Sequence, residues 1–292
     1  MIATRFIFIL GIVPLLAVAQ SGKVVEHLTI KSQILGKNVA YTLYLPPDYE
    51  SSRRSYPVVY LLHGYTDDDT GWIQFGEVNR YADKAIASGE IPPMIIVMPD
   101  GGVSWYINNY DGAVKYEDFF TKEFVPFIDA TYRTRALKDY RGISGLSMGG
   151  FGSLLYSVKH PELFSACAAL SSGVFTDEEL IDMPAENYDR VFKDLYAKAG
   201  TLGKNRLTDA WYQNSVISLM QKKSPDELNK VRWYLDCGDD DFLYKGNSTL
   251  HILMRDRKIV HQFRIRDGDH TWEYWRSGIT DALKFIGENF TK

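Results

Sequence analysis

Four continuous apolar runs constrain the fold of this chain more than any other feature of its 292 residues. They lie at residues 58–62, 94–98, 166–170 and 231–235. Strands of a parallel sheet are buried on both faces, so their sequences are apolar without interruption. Because helical patterns lie between these runs, the sequence predicts an α/β sheet with helices on both faces.

Four more strand patterns raise the expected number of strands to eight, at residues 24–30, 39–45, 141–144 and 259–265. The first two alternate apolar and polar residues, which is typical of half-buried antiparallel strands at a sheet edge. The helical patterns lie at residues 78–87, 116–130, 148–159, 248–256 and 271–289. Residues 176–230 are also helical in pattern, but they are polar and far longer than an ordinary connection. We therefore expect a helical insertion over the top of the sheet rather than a separate domain.

The N-terminus has the pattern of a secretory signal. Arg5 precedes an apolar run at residues 6–18, and a small-x-small cleavage site ends at Ala19. The alternative is an uncleaved membrane anchor, but this run is shorter than the roughly 20 residues that span a bilayer. The sequence thus predicts a signal peptide at residues 1–19, one folded domain at residues 20–292 and a periplasmic or secreted location.

Charge and cysteine content narrow the range of partners. The formal net charge is −4 and no cluster of Lys and Arg occurs, which argues against nucleic acid as a partner. No later segment is apolar over a membrane-spanning length, so we expect no stable membrane insertion after signal removal. The two cysteines, Cys167 and Cys237, lie in apolar strand patterns. Export permits a disulfide, but two buried free thiols are the favoured interpretation.

The segment "RGISGLSMGGFG" at residues 141–152 carries the strongest chemical signal. Residues 145–149 fit G-x-S-x-G, in which Ser147 stands on a sharp turn from a strand to a helix. Glycines beside the serine let the two backbones approach without Cβ clashes. The alternative is a tight turn with no catalytic role. The strand pattern before it and the small-residue helix after it favour a nucleophile.

A serine nucleophile requires a base, and His270 is the best placed of the six histidines. It lies in a glycine-containing loop between the last strand and the last helix, at the edge of the sheet where α/β enzymes place their sites. The alternative for His270 is a surface loop position. We expect structural or surface roles for the histidines at 27, 160, 251 and 261.

The acid of such a triad follows the serine and precedes the histidine in the chain. Between them, only "WYLDCGDDDF" at residues 233–242 places aspartates at the end of a strand. Asp236 lies in the strand body and would face a side of the sheet. Asp239, Asp240 and Asp241 follow the strand, and the residues alone leave open which is the acid and whether the three form a cation site or a solvated loop.

The segment "LLHG" at residues 61–64 ends a buried strand close to the predicted nucleophile. The N–H groups of Tyr65 and Met148 are therefore candidates for an oxyanion hole. We expect His63 to be a buried positioning residue. The acidic run at 67–69 lacks the spacing of an EF-hand and is interpreted as a solvated loop rather than a cation site.

With these segments, the chain resembles an esterase family of the α/β-hydrolases. That family includes feruloyl and acetylxylan esterases, S-formylglutathione hydrolase, enterochelin-type esterases and the antigen 85 mycolyltransferases. The resemblance extends from about residue 39 to residue 290 and rests on "LLHG" (61–64), "SWY" (104–106), "EFVPFIDATYRT" (123–134), "GLSMGGFGSL" (145–154), "HPELF" (160–164), "CGDDDFL" (237–243) and "GDHTWEYW" (268–275). It implies an α/β-hydrolase fold with a mostly parallel eight-stranded sheet, Ser147 as nucleophile and His270 as base.

The resemblance also implies roles that the residues alone leave open. The family's acid falls on Asp241. Trp105 would line the substrate cleft, with a core or rim aromatic as the alternative. Trp272 and Trp275 lie on the last helix and are interpreted as packing residues.

The implied activity is acyl transfer from an ester to water through an acyl-enzyme, and no metal or organic cofactor is expected. Export and the resemblance indicate a feruloyl or acetyl esterase that removes acyl groups from plant polysaccharide, so the partner is a small-molecule or polysaccharide-linked ester. The alternatives are hydrolysis of a siderophore or other small ester, an S-formylglutathione hydrolase-like thioesterase, transfer to an acceptor other than water, and a non-catalytic binding protein. The sequence does not identify the acyl group, the alcohol or the oligomeric state.

Overall fold

The strands form a single mixed sheet in the computed structural model, which describes residues 21–290. In chain order the strands are β1 (Lys23–Lys31), β2 (Asn38–Leu45), β3 (Val58–Leu62), β4 (Ile95–Pro99), β5 (Arg141–Leu146), β6 (Ala166–Leu170), β7 (Arg232–Gly238) and β8 (His261–Arg266). Their spatial order is β1-β2-β4-β3-β5-β6-β7-β8. β1 and β2 pair antiparallel at one edge, and all pairs from β4 to β8 are parallel. The predicted eight-stranded, mostly parallel α/β sheet is confirmed.

The alternation of side chains along a central strand explains why β3 carries hydrophobic residues at every position. In β3, Val58, Tyr60 and Leu62 pack into the core on one face, whereas Val59 and Leu61 pack into the core on the other. Successive residues of a strand point to opposite faces, so both sets of side chains in a strand covered on both sides face a core. Burial on both sides leaves the ends of the strands as the natural place for chemistry.

Helices cover both faces of the sheet. In chain order they are α1 (Gly71–Gln74), α2 (Val78–Ala87), α3 (Tyr116–Phe119), α4 (Val125–Thr131), α5 (Met148–Lys159), α6 (Asp177–Asp182), α7 (Ala185–Phe192), α8 (Asp209–Asn214), α9 (Val216–Lys222), α10 (Pro225–Leu228), α11 (Tyr244–Asp256) and α12 (Trp272–Phe290). A π-helical segment at Phe120–Phe124 joins α3 to α4, and short 3₁₀ segments lie at Lys138–Tyr140 and Gly203–Arg206. α2 and α12 share one core with the sheet, and α5 lies in the other.

The insertion predicted at residues 176–230 is present and consists of α6 to α10. Thr176 and Ser224 begin α6 and α10 with capping boxes, which is why these short polar segments are helical. The buried guanidinium of Arg206 donates to the carbonyls of Leu180 and Met183 at the end of α6. The cation therefore satisfies carbonyls that the helix leaves unpaired and holds the insertion together.

Three further predictions concern the termini and the thiols. The predicted signal peptide at residues 1–19 lies outside the described residues, and the domain limits of 20–292 stay a prediction. Within residues 21–290, no helix combines the length and apolarity that a bilayer crossing requires. Cys167 and Cys237 are both free and buried, and burial raises the pKa of each thiol.

Close contact between α5 and the strands depends on two glycines. A Cβ on Gly149 would lie 2.3 Å from the carbonyl oxygen of Leu62, and one on Gly145 would lie 2.5 Å from the backbone of Gly149. Real Cβ atoms do not approach backbone this closely, so any side chain here would force α5 away from β3 and β5.

We expect Gly149→Ala to lower the free energy of unfolding by about 1–3 kcal/mol, because the new methyl group overpacks the junction. Chemical denaturation followed by circular dichroism measures this change. Gly71→Ala is the matched control, since its Cβ would come no closer than 3.4 Å to its neighbours. Equal stability of the two variants would contradict the proposed packing role of Gly149.

Candidate active site

Ser147 occupies the turn between β5 and α5 in a strained backbone conformation. Its φ is +54° and its ψ is −118°, a region that residues with a Cβ rarely adopt. Two hydrogen bonds hold it there: its N–H donates to the carbonyl of Leu170 at 3.0 Å, and its carbonyl accepts from Gly173 at 2.8 Å. The turn thus presents the hydroxyl of Ser147 at the carboxyl end of the sheet.

The structure brings Ser147, His270 and Asp241 into one hydrogen-bonded line. Nε2 of His270 lies 3.0 Å from Oγ of Ser147, and its Nδ1 lies 2.9 Å from Oδ2 of Asp241. An ionised carboxylate only accepts, so Nδ1 carries the proton and Nε2 is left to accept from the serine hydroxyl. This is the arrangement that serine nucleophiles require of their base.

Asp241 differs from its two neighbours in burial. It is fully buried, whereas Asp239 and Asp240 are exposed. Burial acts to raise the pKa of Asp241, but the hydrogen bond and positive charge of His270, with the N–H of Leu243 at 2.9 Å, outweigh it. The pKa of Asp241 therefore lies below its ordinary value, and the carboxyl is ionised when it faces His270.

A buried ion pair fixes both ends of the loop that carries His270. The carboxylate of Asp236 in β7 is fully buried and accepts from Nε and Nη2 of Arg266 at 3.0 Å each. It also accepts from the hydroxyls of Tyr274 and Tyr234. Arg266 precedes His270 by four residues, and Tyr274 follows it by four residues. Breaking one partner of such a pair costs about 3–5 kcal/mol, so both ends of the loop are strongly held.

Asp239 joins the loop of the acid to the loop of the histidine. Its Oδ1 accepts the N–H of Gly268 at 3.0 Å, and its own N–H donates to the carbonyl of Arg266 at 3.1 Å. The two loops approach so closely that a Cβ on Gly238 would lie 2.1 Å from the carbonyl oxygen of Gly268. Asp240 contributes only its backbone N–H, which donates to Gly268 at 3.2 Å.

The N–H groups of Tyr65 and Met148 lie on the two segments that meet at Ser147. Within residues 21–290 neither N–H has a hydrogen-bond partner. A Cβ on Gly64 would lie 3.6 Å from Cβ of Ser147, so the segment before Tyr65 passes directly beside the serine. Two unpaired backbone donors on segments next to a serine are suited to a developing oxyanion.

His63 shapes this segment from below. Nδ1 lies 2.8 Å from the carbonyl of Gly64, and Nε2 accepts the N–H of Gly101 at 2.7 Å. Tyr106 donates its hydroxyl to the carbonyl of His63 at 3.0 Å. With both ring nitrogens engaged, this buried histidine has the geometry of a positioning residue.

A cleft of about 590 Å³ opens above Ser147 and His270. The insertion forms one wall with Met183, Arg190 and Val191, and α12 contributes Trp272 and Trp275. The hydroxyl of Tyr65 donates to the carbonyl of Arg190 at 2.8 Å. This hydrogen bond joins the insertion to the segment that carries the N–H of Tyr65. The cleft has the size of a small-molecule site.

Trp105 lines this cleft and also belongs to the core, and its contact with a substrate stays a prediction. Its ring packs on Phe192 at 4.9 Å and on Phe151 at 5.6 Å, and its side chain is almost fully buried. Trp105 and Tyr106 both have positive φ, at +52° and +58°. A Cβ on Gly173 would lie 2.6 Å from the Trp105 ring, so this glycine makes room for it.

The acidic run at 67–69 corrects one sequence prediction. The interpretation as a solvated loop is wrong for Asp69, which is buried and accepts the hydroxyl of Thr42 at 2.6 Å. Asp67 lines the cleft, and burial raises its pKa. Asp68 is exposed and caps the turn at Thr70 at 2.8 Å. The contact of Asp69 with Thr42 of β2, which is distant in sequence, accounts for its burial.

Two aromatic residues and four histidines complete the comparison with the sequence. Trp272 and Trp275 pack as predicted, but they also line the cleft, and Trp275 lies edge-on to His270 at 4.8 Å. The spacing of the two tryptophans on α12 indicated packing and did not indicate that they line the cleft. The remaining histidines lie away from the cleft-lining residues, with His160 on Glu117 and His251 on His261.

The fold and this site define the class of the protein. A solved structure of a ferulic acid esterase superposes with a TM-score of 0.80 and 34% identity, covering 92% of this chain and 99% of that chain. A fluorophosphonate-binding serine hydrolase of Staphylococcus aureus superposes with a TM-score of 0.75 at 23% identity, covering 91% and 98% of the two chains, which shows the fold alone. The chain is an α/β-hydrolase, as the resemblance implied.

The family is equally clear, since the family described as "Putative esterase" matches residues 32–286. The chain belongs to this esterase family, and the resemblance seen in the sequence is confirmed. An esterase of Mycobacterium tuberculosis is 38% identical over 261 residues, covering 83% of this chain and 54% of the relative. An endo-1,4-beta-xylanase/feruloyl esterase of Xylanibacter ruminicola is 32% identical over 193 residues, covering 64% and 26%. The chain thus spans about half of one of these curated relatives and a quarter of the other.

We expect Asp239→Ala to lower kcat about threefold to tenfold, the kinetic equivalent of one hydrogen bond, because the loop of His270 loses its side-chain tether. Steady-state kinetics on p-nitrophenyl acetate measure the change. Asp240→Ala is the matched control and should retain the parent kcat, since only its backbone is engaged. A larger loss at Asp240 than at Asp239 would refute the tether.

The lowered pKa of Asp241 predicts a pH-dependent contribution to stability. A carboxyl whose folded pKa lies below its unfolded value, about 3.9, stabilises the fold above that pH and loses this contribution as the pH falls through the folded pKa. The difference in unfolding free energy between the wild type and Asp241→Asn should therefore shrink as the pH falls below about 4. Urea titrations at each pH measure it.

Proposed function

We propose that the protein is a serine carboxylic-ester hydrolase that works through an acyl-enzyme. The observation that carries this proposal is the line from Oγ of Ser147 to Nε2 of His270 at 3.0 Å and from its Nδ1 to Asp241 at 2.9 Å. Membership of the esterase family supports the same reaction class.

In the acylation step, Oγ of Ser147 attacks the carbonyl carbon of the ester while Nε2 of His270 takes the hydroxyl proton. The carbon becomes tetrahedral and its oxygen becomes negative. The C–O bond to the alcohol then breaks, and His270 gives its proton to the leaving alkoxide oxygen. Asp241 fixes the tautomer of the imidazole and stabilises its positive charge in between.

Deacylation repeats these steps with water. His270 takes a proton from the water molecule as its oxygen attacks the carbonyl carbon of the acyl-enzyme. When the tetrahedral carbon collapses, the bond to Oγ of Ser147 breaks, and His270 returns the proton to Oγ. The carboxylic acid leaves the cleft, and the serine and the imidazole are restored.

The N–H groups of Tyr65 and Met148 would hold the oxyanion in both steps. They have no partner within residues 21–290, so they can donate without first breaking another bond. Each donor of this kind is worth about 3–4 kcal/mol of transition-state stabilisation. The hydrogen bonds of His63 to Gly64 and Gly101 keep the Tyr65 segment in place for this role.

For the substrate, we propose feruloyl or acetyl esters of plant polysaccharide. Two similar proteins support it: the ferulic acid esterase structure, at 34% identity, and the relative named endo-1,4-beta-xylanase/feruloyl esterase. An S-formylglutathione hydrolase structure, at 21% identity, shows the fold alone. The apolar wall around Trp105 suits an acyl group, and the signal-like N-terminus supports a periplasmic or secreted location.

We expect Ser147→Ala to abolish ester hydrolysis. Asp241→Asn should lower kcat by up to about four orders of magnitude, because the carboxylate no longer holds the imidazole in the tautomer that accepts the serine proton. Rapid mixing with p-nitrophenyl acetate should show a burst of one equivalent of nitrophenol in the wild type. Mass spectrometry of the quenched protein should place the acetyl group on the peptide that contains Ser147.

Ser51→Ala, at an exposed position, is the control and should behave as the wild type. Methyl ferulate, acetylated xylan and a glutathione thioester, compared at equal concentration, test the substrate. The reaction class is wrong if wild type and Ser147→Ala turn over p-nitrophenyl acetate at the same rate.

A further inference from the structure

Exposed aromatic side chains flank the mouth of the cleft beside His270. We define the aromatic rim as Phe75, Trp272 and Phe242. Phe242 and Phe75 are 65% and 51% exposed, although large apolar side chains are usually buried. Trp272 is partly buried and lines the cleft. Exposed apolar surface at the mouth of a cleft commonly marks a binding site.

One side of the rim is Phe242, which follows the acid directly. Its ring centroid lies 4.6 Å from that of His270, and the residue lines the cleft. The backbone around it is fixed, since the N–H of Leu243 donates to Oδ1 of Asp241 at 2.9 Å. The exposed ring is therefore carried by a well-held backbone beside the imidazole.

The other side of the rim is the pair Trp272 and Phe75. Their rings lie 5.8 Å apart and are tilted by 37°. Trp272 rests edge-on against Trp72 at 5.2 Å and against Trp275 at 5.4 Å, both of which are buried. The carbonyl of Phe75 accepts from Arg276 at 3.1 Å. A surface fixed in this way loses little entropy when it binds a ligand.

The proposed reaction decides which part of the substrate meets the rim. His270 protonates the leaving alcohol, so the alcohol must lie next to the imidazole. The rings of Phe242 and Trp275 flank that imidazole at 4.6 and 4.8 Å. The cleft, at about 590 Å³, has room for an acyl group and the first part of an alcohol, and a longer alcohol must continue past its mouth.

We propose that the aromatic rim binds the saccharide part of the leaving alcohol by stacking of sugar rings on Phe75, Trp272 and Phe242. This inference rests on the proposed function and extends it to a saccharide subsite. A pyranose or furanose ring presents C–H bonds on its faces, which pack on the negative face of an aromatic ring, while its hydroxyl groups stay in water. Arg276 and Glu77, 3.6 Å apart beside Phe75, supply polar groups for those hydroxyls.

Phe75→Ala is the cleanest test, because Phe75 is exposed and makes no contact with Ser147, Asp241 or His270. Two feruloyl esters are compared. In one the alcohol is an arabinose-bearing xylo-oligosaccharide, and in the other, methyl ferulate, it is methanol. We expect kcat/KM for the saccharide ester to fall about threefold to tenfold, the size of one aromatic stacking contact, with most of the change in KM. The value for methyl ferulate should be unchanged.

Rescue separates stacking from general damage to the protein. Phe75→Tyr keeps an aromatic face and should restore the saccharide ester to within about twofold of the wild type. Phe75→Leu keeps apolar bulk without that face and should behave as Phe75→Ala. Tyr110→Ala, at another exposed aromatic residue outside the cleft lining, is the control and should change neither substrate.

A binding measurement keeps this inference distinct from the proposed function. Ser147→Ala protein is titrated with the unesterified xylo-oligosaccharide, and tryptophan fluorescence and calorimetry report binding. We expect saturable binding that weakens in the Ser147→Ala, Phe75→Ala double variant. Binding without ester hydrolysis by the wild type would sink the proposed function alone. Hydrolysis with equal losses on both esters, or with no loss on either, would overturn the rim as a saccharide subsite.

Discussion

The steric constraint at the turn between β5 and α5 is the one on which the rest of the site depends. Gly145 and Gly149 let α5 approach β3 so closely that no Cβ fits between them. The same junction holds Ser147 at its positive φ and brings the segment at Gly64 beside it, where a Cβ would lie 3.6 Å from Cβ of Ser147. The strain is held by hydrogen bonds from the loop after β6, at Leu170 and Gly173. The proposed nucleophile and the proposed oxyanion donors therefore lie at one backbone junction, and a side chain added there would displace them together.

Two aspartates at the end of β7 show how the surroundings of a carboxylate decide its role. Asp236 faces Arg266 and the hydroxyls of Tyr274 and Tyr234, so its charge is fully balanced and serves to hold the loop of His270. Asp241 is equally buried, but its carboxylate faces the imidazole of His270 rather than a guanidinium. Its charge is then available to stabilise an imidazolium that forms during a reaction. Five residues apart in sequence, one carboxylate positions the base and the other acts on it electrostatically.

The sequence predicted those parts of the fold and site that local pattern controls. Continuous apolar strands exist because both faces of the sheet are covered. The strands β3 and β6 can therefore be predicted from the sequence without knowledge of any contact. Ser147 and His270 could be predicted as site residues because the motif and the chain order place them at strand ends. The choice of Asp241 among three adjacent aspartates required the family resemblance, because the three have nearly the same local sequence. Contacts with residues distant in sequence bury Asp241. The same limit explains Asp69, whose burial depends on Thr42 from another strand. Local pattern thus identifies the segments of the site, and long-range contact selects the residue within each segment.

The cleft is asymmetric in a way that follows from how its walls are built. On one side, Trp105 is packed by Phe192 and Phe151, so that wall is buried and rigid and can enclose an acyl group. On the other side, the rings of Phe242 and Phe75 stand largely in solvent beside the base. Enclosure of the acyl group excludes water from the carbonyl and strengthens the hydrogen bonds to its oxyanion. An open aromatic surface instead lets a bulky alcohol continue beyond the protein. A polymer-linked ester needs both properties at once, whereas a small soluble ester needs only the first.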